Sequence, residues 1–204
     1  MSIITELKLQ KSKTRANVYL DGQFACGLEL STIVKNQLKV GVEISKDKLE
    51  QMQAESEVER ATEKALGLLE RQKYTKKQIR TKLASKGYLP VVVDQVITKL
   101  EAYGYISDED YAESFLRATS TKSKKEIKFA LMTKGVSEKI INEVLEDSEF
   151  SEEETVKKLA EKFMRYKENT AENKKKLVAY LYRKGFDYGL ISRVVDGLDV
   201  DFYD

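Results

Sequence analysis

The sequence predicts a mainly α-helical chain. Three tandem three-helix repeats follow a small N-terminal β-hairpin or sheet and a short helix. Two observations carry this reading. A Lys-Gly pair recurs at Lys86-Gly87, Lys134-Gly135 and Lys184-Gly185, and the same apolar columns surround each pair. Four residues before the glycine stand Leu83, Leu131 and Leu181, and eight before it stand Ile79, Ile127 and Leu177. After it come Tyr88, Val136 and Phe186, then Val92-Val93, Ile140-Ile141 and Leu190-Ile191. Val96-Ile97, Val144-Leu145 and Val194-Val195 close each copy. Helical spacing alone aligns some apolar residues, so the shared Lys-Gly stop is the more specific part of the repeat.

Residues 1–44 form a separate segment. Ile3 to Leu9 alternates partly, as a strand does. Asn17-Val18-Tyr19-Leu20 and Gln23-Phe24-Ala25-Cys26 flank Asp21-Gly22, a pair that tolerates positive φ in a hairpin turn. A plain two-residue turn sets Tyr19 opposite Phe24, and a bulge sets Val18 there; the sequence leaves both open. Two or three strands are expected, packed on the next helices, since an isolated hairpin is marginal in water. Ser31 to Leu38 reads as a short helix broken by Gly41.

Residues 45–110 hold a long connector helix, from Ser45 as N-cap to about Gln72, and the rest of the first repeat. A second helix is expected from Thr75 to Ser85, stopped by Gly87 in a left-handed cap. A third runs from Pro90, suited to a first turn, to Tyr103, with Gly104 ending it. Ser107 opens the next helix. The second repeat is assigned to 111–150 and the third, opening near Thr155, to 151–204 with an acidic tail of Asp199, Asp201 and Asp204.

Composition limits the chemistry. The chain of 204 residues is 41% hydrophobic and 34% charged, a balance suited to small helical units with much surface. It has no histidine and one cysteine. Imidazole catalysis, a thiolate zinc site and an internal disulfide are excluded. No Gly-x-x-x-x-Gly-Lys-Ser/Thr or Gly-x-Gly-x-x-Gly loop occurs. A non-enzymatic chain with no cofactor and no metal is expected. No apolar run is long enough for a bilayer and no signal peptide is evident; with one cysteine a reducing cytoplasm is the expected compartment, and a monomer is expected. Cys26 reads as a packed small residue of the hairpin.

The 36 Lys and Arg nearly balance 34 Asp and Glu, but the net charge of +2 hides local segregation. Cations gather on the second helix of each copy and the turn before it. The candidate contact face is Arg71, Lys73, Lys76, Lys77 and Arg80 in the first copy, Lys124, Lys125 and Lys128 in the second, and Lys174, Lys175 and Arg183 in the third. A solvated helix face accounts for any one cluster. Recurrence at equivalent positions is what singles out a surface for phosphate or acidic protein. Base reading by a helix–turn–helix is disfavoured: the third helix begins Leu89-Pro90-Val91-Val92-Val93, too apolar for base edges. Most aromatic residues, Phe129 among them, are assigned to packing. Tyr74, Tyr180 and Tyr182 lie beside lysines and are candidates for stacking on bases or anchoring an interface.

These residues also carry a resemblance. Ala65-Leu66-Gly67-Leu68-Leu69-Glu70-Arg71, then Lys86-Gly87-Tyr88, then Gly104-Tyr105-Ile106-Ser107-Asp108 leading to Tyr111-Ala112 resemble the RecX regulatory proteins, over about residues 60–198. The N-terminal hairpin is similar to the extension of longer, Gram-positive-type members. Val136 replaces a frequent aromatic, and the third copy lacks the Gly-Tyr-Ile-Ser-Asp segment. The resemblance implies an elongated, curved array that lies along the groove of the RecA–DNA filament and inhibits its ATPase and strand exchange. A direct DNA-binding module for single- or double-stranded DNA is the alternative.

Overall fold

The computed structural model describes residues 1–198, so the acidic tail expected at Asp199, Asp201 and Asp204 lies outside the described residues. The chain is mainly helical, with three three-helix repeats behind a small antiparallel sheet. It divides into two compact units. One holds Met1–Tyr74 and Ile79–Ile106; the other holds Thr75–Gln78 and the chain from Ser107 onward.

In the first unit, β1 (Ser2–Leu9), β2 (Arg15–Leu20), β3 (Gln23–Glu29) and β4 (Glu43–Ile44) form one sheet in the order β3-β2-β1-β4. The expectation of two or three strands missed the two-residue β4. It is held by pairing of Ser2 with Ile44 and Ile3 with Glu43. Asp21 and Gly22 both take positive φ, 48° and 83°, as a two-residue turn between right-twisted strands demands. Tyr19 therefore pairs with Phe24, and the bulge sits one step further, so that Val18 pairs with Cys26. The plain-turn alternative, Tyr19 opposite Phe24, is the one that occurs; a bulge is present too, but it does not set Val18 opposite Phe24. The Ile3 amide donates to the Asp21 carboxylate at 3.0 Å, which holds that carboxyl below its usual range.

One face of the sheet is apolar because alternation places Ala16, Val18, Cys26 and Leu28 on one side. They pack with Ile4, Ile33, Leu38, Ile44, Leu49 and Met52. Helix α1 (Leu30–Lys35) stops well before Gly41, contrary to expectation. Gln37 turns the chain at φ 52°, and the Leu38 amide bonds back to the Ile33 carbonyl at 3.0 Å. That is a left-handed cap made without glycine. Helix α2 (Lys46–Leu69) begins at Ser45, whose Oγ accepts from the Lys48 amide. Its later residues Ala61 and Ala65 join the first repeat's core with Ile79, Leu83, Val96, Ile97 and Leu100 from α3 (Lys76–Ala84) and α4 (Pro90–Ala102).

The second unit contains the other two repeats. Helices α5 (Asp108–Arg117), α6 (Lys124–Lys134) and α7 (Glu138–Asp147) surround Ala112, Ile127, Leu131 and Ile141. Helices α8 (Glu152–Met164), α9 (Ala171–Arg183) and α10 (Tyr188–Gly197) surround Leu159, Leu177, Leu181 and Ile191. Helix α8 opens three residues before Thr155, where the Ser151 Oγ caps the Glu154 amide.

The repeat columns have a common physical basis. Gly87, Gly135 and Gly185 lie at φ 86°, 93° and 83°. In each copy the amide just after the glycine donates to the carbonyl of the leucine column: Tyr88 to Leu83, Val136 to Leu131, Phe186 to Leu181. One leucine thus fills the core with its side chain and closes the helix with its carbonyl.

Candidate binding surface

The basic residues differ in what they do. In the first unit, Arg71 and Lys73 are exposed beyond the end of α2, and Arg80 forms an ion pair with Asp94. Lys82 lies 4.9 Å from the centre of the half-buried Tyr74 ring. A second cluster there was not foreseen. Glu29 sits between Arg15, at 3.3 Å, and Arg60, at 3.6 Å. Burial pushes its carboxyl above the usual range, while the two arginines pull it back. Arg60 also lies over the Tyr88 ring. These contacts tie the sheet to α2.

In the second unit, two sets of bonds repeat. The buried Thr75 hydroxyl donates to the Lys134 carbonyl at 2.6 Å, and the buried Ser123 hydroxyl donates to the Lys184 carbonyl at 2.8 Å. The next amide in each case meets an acid: Lys76 N–H to Asp108 at 2.8 Å, and Lys124 N–H to Glu152 at 2.7 Å. Thr75 with Gln78, and Ser123 with Glu126, exchange reciprocal bonds between side chain and amide. A hydroxyl that caps its own helix therefore also fastens the Lys-Gly corner that comes later in the chain. The signal was in the sequence: Thr75-x-x-Gln78 and Ser123-x-x-Glu126 stand at one distance before Gly87 and Gly135. Thr170, which caps α9, stands one helical turn further from Gly185.

These bonds decide the use of several predicted residues. Lys76 also approaches the buried Asp108 carboxylate with its Nζ, at 4.0 Å. Lys77 lies across Gly135, so close that a Cβ built there would be 2.4 Å from the lysine Cβ. Lys76 and Lys77 thus have structural work. Lys124, Lys125 and Lys175 are exposed, while Lys128 and Lys174 are half-buried. Arg183 is exposed, with its Nε donating to the Ala179 carbonyl at 3.3 Å.

The structure brings Lys125, Arg183 and Lys184 around one hollow of about 490 Å³ between α6 and the end of α9. Phe129 and Tyr182 line it as well, 74% and 64% exposed. Phe129 departs from its assignment to packing. Aligned on the Lys-Gly pairs, its column holds Thr81 and Ala179, which marks a surface position that the sequence already carried. Tyr180, by contrast, stacks on Phe163 with centroids 5.3 Å apart, and Lys167 covers that ring. Tyr182 alone of the three candidate tyrosines is mostly exposed.

Cys26 is buried, and burial pushes its thiol up. Among the described residues no group of three or more His, Cys, Asp or Glu could hold a metal ion. No helix among them is long and apolar enough to cross a membrane.

Comparison with known proteins agrees along the chain. The family model described as "Regulatory protein RecX N-terminal domain" matches residues 2–45. The models for the first, second and third three-helix domains of RecX match 61–100, 107–145 and 151–195. A regulatory protein RecX of Clostridium botulinum (strain Alaska E43 / Type E3) is 33% identical over 213 residues, spanning 100% of both chains. A crystal structure of regulatory protein RecX superimposes with a TM-score of 0.73 at 27% identity, over 96% of this chain and 100% of that one. RecX from Lactobacillus salivarius gives 0.64 at 29% identity, over 71% and 97%. With every repeat and the N-terminal sheet matched in order, the chain belongs to the RecX family of regulatory proteins.

Proposed function

We propose that this protein binds the RecA recombinase and settles along the groove of the RecA–DNA filament, where it inhibits ATP hydrolysis and strand exchange. It acts as a cytoplasmic monomer and carries out no reaction of its own. The observation that carries the reading is the recurrence of cations at equivalent positions of the three repeats of a regulatory protein. Repeats that each contact a successive protomer make the later contacts intramolecular, so weak individual contacts sum to useful avidity. The contact face is Arg71, Lys73, Lys76, Lys77, Arg80, Lys124, Lys125, Lys128, Lys174, Lys175 and Arg183, as the charge pattern assigns it. Salt weakens such a face, because exposed charges are screened over roughly 8–10 Å at ordinary ionic strength.

The test is RecA-dependent ATP hydrolysis on single-stranded DNA, with and without this protein. Inhibition is expected. Charge reversal belongs at Arg71, Lys128 and Lys175, since Lys76 and Lys77 are occupied in holding Asp108 and covering Gly135. Arg71→Glu, Lys128→Glu and Lys175→Glu together are expected to weaken inhibition at least tenfold with the circular dichroism unchanged. Full inhibition by the triple variant would remove this face from the mechanism.

A further inference from the structure

We propose that the hollow between α6 and the end of α9 binds an unpaired base of single-stranded nucleic acid, together with its neighbouring phosphate. The inference rests on this hollow and not on the filament reading.

Phe129 and Tyr182 are both largely exposed and both line the same space. Two large rings left in water along one hollow lose the burial that would otherwise stabilise the fold. Phe186, buried at 2% exposure, adds a third ring to the lining. The volume of about 490 Å³ lies within the range of small-ligand sites, roughly 300–1,000 Å³. Lys125 and Arg183 in the lining supply positive charge, and Lys184 adds to it although its ammonium lies over the Tyr180 ring. The one acid in the lining, Glu126, bonds the Ser123 amide at 3.2 Å as part of the α6 cap. Its charge is thereby directed to a helix N-terminus. Arg183 donates from its Nε to the Ala179 carbonyl, and its terminal guanidinium nitrogens can donate to a phosphate.

The arrangement is particular to this corner. Aligned on the Lys-Gly pairs, the first repeat has Thr81 where the second has Phe129. The second has Met132 and Thr133 where the third has Tyr182 and Arg183. Lys77 covers Gly135 closely, whereas the Lys125 Cβ stands 3.7 Å from the Cβ position at Gly185. An acidic peptide fits the site less well. Much of the lining comes from the helices α6 and α9, and the Lys184 carbonyl at the corner is taken by Ser123. No strand edge is offered for β-addition. Aromatic faces flanked by cations suit a base and its phosphate without sequence preference.

The experiment measures fluorescence anisotropy of a fluorescein-labelled dT oligomer of about 15 nucleotides, an abasic strand of equal length and a duplex, with no recombinase present. The wild type is expected to prefer dT over both others. Phe129→Leu with Tyr182→Leu should weaken dT binding about tenfold or more, leave the abasic strand unchanged and keep the helical circular dichroism. Tyr182→Phe, which retains the ring, should bind as the wild type does. Lys125→Gln with Arg183→Gln should flatten the dependence of affinity on salt. Equal affinity of the wild type for dT and the abasic strand would overturn the proposal, as would dT binding by the Leu double variant at wild-type strength. If that variant kept dT binding but lost inhibition of RecA, the hollow would be a protein interface and the nucleic-acid assignment would end.

Discussion

Gly135 shows how much one residue type can decide. Its φ of 93° already disfavours a side chain, and Lys77 fills the space a Cβ would need. Gly87 has the same backbone, φ 86°, with nothing within 4 Å of the Cβ position. Gly87→Ala is therefore expected to cost only the left-handed strain, about 1–2 kcal/mol. Gly135→Ala should cost clearly more, because Lys77 must move at its Cβ and not merely at its flexible end. Urea denaturation of the two variants checks the difference. Glu29 gives a pH prediction. Its folded carboxyl holds a proton more tightly than the unfolded one, so its contribution to stability grows as pH falls through its raised value and levels off below the ordinary carboxylate range. As pH falls from 7 through the ordinary carboxylate range, the wild type should gain stability relative to Glu29→Gln; a parallel pH response in the two proteins over that whole span would refute the shift. At this scale the columns of Leu83, Leu131 and Leu181 were legible, because burial and helix closure both demand an apolar residue at that offset. Phe129 runs against its residue type: an aromatic suggests core, whereas its column of Thr81 and Ala179 marks a surface position.

The helices were read well and the sheet less so, for a physical reason. Helix ends are set by local chemistry, such as the Ser45 and Ser107 caps and Pro90 at the start of α4. Strand pairing is not local: β4 exists only because Ser2 and Ile3 meet residues some forty positions away. The cap at Gln37 also evaded the reading, since a left-handed residue other than glycine leaves little trace in composition. The fastening hydroxyls give the element-scale prediction. Ser123→Ala removes an N-cap, about 1 kcal/mol, and also leaves the Lys184 carbonyl without its donor, which adds about 1–3 kcal/mol. Thr170→Ala removes a cap alone and should cost about 1 kcal/mol. Thermal unfolding of the two variants distinguishes a cap that serves one helix from one that serves two repeats.

For the whole molecule, the informative fact is that the core is divided. The described residues hold four separate apolar clusters, one beneath the sheet and one inside each repeat. Damage to one should stay close to its source, as in repeat proteins whose stability is a sum over neighbours. Leu181→Ala, at a fully buried site, is expected to cost about 2–5 kcal/mol. Hydrogen exchange should then show protection falling in α8, α9 and α10 while the β1–β3 amides keep theirs. Loss spread evenly through the chain would contradict the division. The architecture could be read from sequence because three of the four clusters repeat one local pattern; the placement of Phe129 and Tyr182 on one hollow could not, since it depends on how α6 meets the end of α9. The paired bonds of Thr75 and Ser123 carry one more consequence. The first and second repeats each hold a hook for the next at the head of the second helix, and the second and third each hold the matching eye at the Lys-Gly corner. A stretch of gene that is duplicated in frame thereby brings its own coupling along, and such a chain can lengthen by copying without inventing a new seam.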